Sequence, residues 1–102
     1  AYWKYAVRRR ILGLKRGSFA LKGSNWFPRL DNLTGARWKG DLHLLAGEHH
    51  ALREVIVTLP AARLKQLTPG GTMRIDRLIY GVAAHDVYHA GQIQVLKRLM
   101  ED

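Results

Sequence analysis

Trp38, Leu42, Leu45, His49, Leu52, Ile56 and Leu59 follow one another at alternating steps of four and three residues. On a helix that rhythm gathers all seven side chains on one face, whereas a strand would scatter them over two. A helix with so long an apolar stripe has to bury it against other helices, which commits the chain to an all-α bundle. Leu78, Val82, His85, His89, Gln92 or Ile93, Leu96 and Leu99 repeat the rhythm. Histidine interrupts both seams.

Local signals set the expected bounds. A first helix is expected over Tyr2 to Leu12, with Trp3, Ala6, Val7, Arg10 and Ile11 on its stripe and Lys4, Arg8 and Arg9 facing elsewhere. Gly13 is its stop, and Arg8, Arg9 and Arg10 suit the negative end of the helix dipole. Leu14 to Leu33 carries Gly17, Ser18, Gly23, Ser24, Asn25 and Pro28, which are turn formers, together with Phe19, Leu21, Trp26 and Phe27. So many large apolar residues should pack across the bundle or over one mouth of it. A second helix is expected from Thr34 to Thr58, capped by Asp31, Asn32 or Thr34 and ended by Pro60. One helical turn over Ala62 to Leu67 is expected in the connector. A third long helix should run from Met73 or Arg74 to Met100, with Thr72 as its cap. Val55-Ile56-Val57 and Met73-Arg74-Ile75 have some β propensity, but no strand is expected.

Length and composition narrow the function classes. At 102 residues the chain is one domain or part of one. It has no cysteine, which excludes disulfides, iron–sulfur clusters and thiolate metal sites, so any metal must take nitrogen or oxygen ligands. Its longest apolar runs fall far short of a membrane span, and no signal-peptide pattern is present, so a cytoplasmic setting is expected. The net charge of +9 suits an anionic partner or simply a solvated basic surface. Neither a Ser-His-Asp order nor a carboxylate pair offers a metal-free catalytic mechanism.

The stretch most informative about chemistry is Tyr80-Gly81-Val82-Ala83-Ala84-His85-Asp86-Val87-Tyr88-His89-Ala90-Gly91-Gln92-Ile93. His85 and His89 stack one helical turn apart on the seam, so both should point inward, where two imidazoles can share one divalent cation. Imidazole suits zinc, nickel, copper or iron. The bland alternative is a pair of core or surface histidines bonded to backbone or water. Gln92 and Tyr88 are candidates to hold the ligands in place, although Tyr88 is better suited to packing between helices. Asp86, about 100° around the helix, either holds a histidine ring nitrogen on a neighbouring turn or faces solvent. Gly81 and Gly91 each cost about 1 kcal/mol inside a helix, a cost that makes sense where a neighbouring helix or ligand comes very close.

The segment from Ala83 to Ile93 resembles the last helix of the DinB-like superfamily of helical metalloproteins. Tyr2-Trp3-Lys4-Tyr5 leading into Arg8-Arg9-Arg10 resembles the end of that family's second helix, and the seam around Trp38, Lys39, Asp41 and Leu42 resembles its third. The resemblance implies a four-helix bundle in up-down-down-up order, often paired as a homodimer. It implies residues 1–102 to be one bundle domain that lacks the first helix and the start of the second. Ala1 to Val7, with no initiator Met, reads as the interior of a helix, so further residues upstream are expected. The family's metal site is a histidine triad. Two of its ligands match His85 and His89; the third would fall just before Ala1, with His49 or His50 as a substitute from the second visible helix. His43 reads as a surface residue.

Three functions follow as expectations. The first is a divalent-metal protein carrying zinc or nickel, a metal-dependent hydrolase or thiol-dependent S-transferase acting on a small-molecule substrate. The second is a non-catalytic stress-response or binding module with a structural or vestigial metal. The third and weakest is nucleic-acid binding through Lys4, Arg8, Arg9, Arg10, Lys15, Arg16 and Lys22, with Trp3 and Trp26 as stacking groups.

Overall fold

The computed structural model describes residues 1–17, 19, 21 and 34–101. These form three α-helices, α1 (Tyr2–Leu12), α2 (Gly35–Thr58) and α3 (Ile75–Met100), with a short 3-10 turn over Ala61–Lys65 between the last two. No strand occurs among the described residues; one isolated antiparallel bridge joins Leu67 and Arg74. None of the helices is long and apolar enough to cross a membrane.

Each boundary has a local cause. Gly13 takes the left-handed conformation at φ 69°, and its N–H and that of Leu14 bond to the carbonyls of Arg10 and Arg9, which closes α1. A side chain at Gly13 would also press on Pro69, 3.3 Å away, so glycine serves both the cap and the packing. Thr34 caps α2, its Oγ1 accepting from the Arg37 N–H at 3.2 Å. The chain turns extended at Leu59, one residue before Pro60. The start of α3 departs from expectation. Thr72 is not the cap; Arg74 holds that position without a side-chain cap bond. Backbone bonds from Thr68 to Met73 and from Ile75 to Gln66 hold Met73 and Arg74 in a tight reversal, delaying the helix to Ile75.

α1 lies between the other two helices and packs on both. Its buried side joins Val7 and Ile11 to Leu52 of α2 and to Ile75, Leu78 and Val82 of α3. Val55, Ile56, Leu59, Leu64 and Ile79 pack around that cluster. The start of α1, the first half of α2 and the second half of α3 meet at the opposite end, around a pocket. α1 and α2 therefore run the same way and α3 runs against them.

The two seams are covered over half their length only. Leu52 is buried, but Trp38, Leu42 and Leu45 are exposed, and so are Ile93, Leu96 and Leu99. The expected close approach to Gly81 and Gly91 is not seen among the described residues: a side chain at either position would meet nothing within 4 Å. Of the loop, Phe19 lies against the rings of Tyr2 and Tyr5 and Leu21 lines the pocket. Trp26 and Phe27, expected to pack over the bundle, the caps Asp31 and Asn32, and Lys22 lie outside the described residues.

Candidate metal centre and its pocket

Helical spacing brings His85 and His89 together on α3, as two residues four apart must be. Their Nε2 atoms are 3.0 Å apart and their rings stand nearly perpendicular. The Oε1 of Gln92 lies 2.7 Å from His89 Nδ1. An amide oxygen only accepts, so Nδ1 carries the proton and the lone pair of His89 sits on Nε2, directed at His85. The amide nitrogen of Gln92 donates in turn to the Tyr88 hydroxyl at 3.3 Å. Tyr88, expected to pack between helices, is instead exposed and faces the His89 ring at 5.4 Å.

The pair does not point into a sealed interior. His85 is half-buried and His89 exposed, because the α3 seam loses its cover beyond Val82. Both open on a pocket of about 770 Å³ between the first half of α2 and the second half of α3. Trp3, at the start of α1, stands edge-on to His85 with ring centroids 6.3 Å apart.

Beside the pair is a feature the residue pattern had assigned wrongly. Lys4 is buried. Its Nζ donates to Asp86 Oδ2 at 2.5 Å and to His49 Nδ1 at 3.1 Å, tying all three helices together at the pocket floor. An ammonium donates to a nitrogen only where that nitrogen bears a lone pair, so the His49 proton lies on Nε2. Asp86 thus holds no histidine; it is exposed to solvent, as one of the two expectations had it, and pairs with Lys4. The signal was available: Lys4, Val7 and Ile11 stand at steps of three and four on one stripe. One turn on, Arg8 reaches Glu48 at 3.2 Å. These positions also take Lys4 out of the surface cations suited to a nucleic-acid backbone.

His49 lines the same pocket as the pair but is engaged with Lys4. His50 lies 3.9 Å from Glu54 on the exposed side of α2, and His43 is exposed. Among the described residues no group of three histidines and carboxylates stands ready to hold an ion. The pair itself fits one. Two nitrogens each about 2.05 Å from a shared cation are about 2.9 Å apart at a right angle and about 3.3 Å apart in a tetrahedron. The observed 3.0 Å lies inside that span and is equally the length of a hydrogen bond between the two rings. No family model, curated protein or solved structure matches the chain.

Proposed function

We propose that the chain is a DinB-like divalent-metal protein in which His85 and His89 hold zinc or nickel, and that it acts as a hydrolase or thiol-dependent transferase on a small molecule. The observation that carries this reading is the converging pair of Nε2 atoms, 3.0 Å apart at the edge of a pocket, with Gln92 fixing the His89 tautomer. The course of the helices supports it: α1 and α2 run parallel and α3 antiparallel, as the last three helices of an up-down-down-up bundle do. The ion would supply a Lewis acid that activates a water or a thiol. Gln92 orients the His89 ring, and Tyr88 in turn holds Gln92. Trp3 walls off one side of His85. A homodimer that covers the apolar second half of α3 belongs to the same reading.

One specific observation favours a second reading. Because no third ligand stands near the pair among the described residues, the ion would be structural, or the site a vestige in a binding module.

Elemental analysis and metal titration of the purified protein decide. A stoichiometric transition metal lost in both His85→Ala and His89→Ala supports the site, and Gln92→Ala should weaken the affinity about tenfold. Metal retained in both histidine variants rejects the site. Unfolding on chelation marks the ion as structural, and no binding at all marks a vestige.

A further inference from the structure

We propose that the pocket takes a small molecule built of one metal-coordinating head and an uncharged apolar body. The head rests on the metal reading above; the body rests on the pocket alone. His85, His89 and Ile93 follow at four-residue steps along one face of α3, so the pocket wall runs on from the histidine pair to an isoleucine, about 12 Å from His85 and about 6 Å from His89. Across it α2 presents Leu42, Leu45 and Ala46. The volume of about 770 Å³ lies in the range of small-molecule sites.

Charge decides the class. The chain carries +9 overall, yet among the described lining residues Lys4 is the single lysine or arginine. Asp86 already neutralises it at 2.5 Å. Away from the histidine pair the described lining offers no further lysine or arginine, so a phosphate or carboxylate carried on the body meets apolar walls, at a desolvation cost nothing repays. An alkyl or aromatic body replaces water along Leu42, Leu45 and Ile93 at a gain.

The test is a chain-length series. The zinc-loaded protein is titrated calorimetrically with acetohydroxamate, butyrohydroxamate and hexanohydroxamate. Affinity should rise about three- to fourfold for each added methylene. The slope should fall in Leu45→Gln and in Leu42→Gln, at exposed positions that leave the fold intact, while zinc affinity stays unchanged. The matching unsubstituted amides, titrated calorimetrically into metal-free protein, isolate the body and should give the same slope. If the protein holds no zinc, the metal reading fails with the first series, while the amide series still decides the pocket. A flat amide series overturns the proposal, as does tighter binding of phosphonoacetohydroxamate than of hexanohydroxamate. An unchanged slope in both leucine variants overturns it too.

Discussion

The two ends of the bundle are built from one sequence rhythm and end up in opposite states. At one end Ile11, Leu52, Ile75 and Leu78 close into a core with Ile75 fully buried. At the other, Trp38, Leu42, Leu45 and Leu96 hold equivalent places on the seams and stand open. What differs is the cover. The 3-10 turn and the end of α2 bring Leu64 and Leu59 over the closed end, whereas among the described residues the open end is spanned by the first turn of α1, with Phe19 against Tyr2 and Tyr5 and Leu21 beside the pocket. The polar groups sort the same way. The closed core is built of apolar side chains, with the Arg74–Asp76 pair at its solvent edge, and the open end gathers Lys4, His49, Asp86, His85 and His89. A site needs access and a core excludes it, so an incompletely covered seam is where the histidines can act.

The sharpest way to break this contrast is to truncate equivalent leucines at the two ends. Leu52→Ala opens a cavity in the closed core and should cost about 2–5 kcal/mol. At about 4–8 °C per kcal/mol for a domain of this size, thermal unfolding should drop by roughly 10 °C or more. At a dilution where the protein is monomeric, Leu96→Ala and Leu99→Ala, at positions exposed in the single chain, should stay within about 0.5 kcal/mol of the parent. A loss at Leu96 as large as at Leu52, and dependent on protein concentration, would mean that a second copy covers the open end in solution.

Next in size is the tie between the three helices at the open end. Asp86→Ala strips the buried Lys4 ammonium of its carboxylate. Breaking a fully buried pair costs about 3–5 kcal/mol. Here the Asp86 side chain is 48% exposed and His49 still accepts from Lys4, so about 1–3 kcal/mol is expected from urea unfolding. Lys4→Met in the same background should recover most of it, because the uncompensated charge is gone. Failure to recover would show that Asp86 acts through something other than Lys4.

How much of this was legible follows from the same contrast. Local chemistry is written in local residues. The left-handed Gly13, the Thr34 hydroxyl and Pro60 mark where α1 stops, α2 starts and α2 stops, and all three boundaries fall where those residues put them. The start of α3 was not legible, because it is fixed by bonds from Ile75 to Gln66 and from Thr68 to Met73, contacts between segments that no local pattern encodes. Periodicity told which face of α2 and α3 is apolar, but on α1 it put Arg10, which is exposed, on the stripe and left out Tyr5, which is buried. It does not tell whether anything covers that face, so the burial expected for His89, Leu96 and Leu99 is absent. The closeness of His85 and His89 follows from helical geometry alone. Lys4 was missed because charge was weighed above position, although its place on the stripe of Val7 and Ile11 predicts burial.

The smallest effect sits at the closed end, where the first turn of α3 carries the bidentate pair of Arg74 and Asp76, with contacts of 3.1 and 2.5 Å. Hydrogen bonds from the Arg74 guanidinium hold the Asp76 carboxyl below its ordinary value of 3.8. A depressed carboxylate favours the folded state above its unfolded pKa, and that contribution fades as pH falls through the folded value. The window is therefore below about pH 4. The pair is solvent-accessible and salt screens it, so its effect should be a fraction of that at Asp86. Asp76→Asn should lower the urea midpoint slightly at pH 5, and the gap between parent and variant should close toward pH 2.5. The open end provides the control: Leu99→Ala should shift the midpoint equally at both pH values. A gap at Asp76 that persists at pH 2.5 would assign the residue's contribution to something other than its charge.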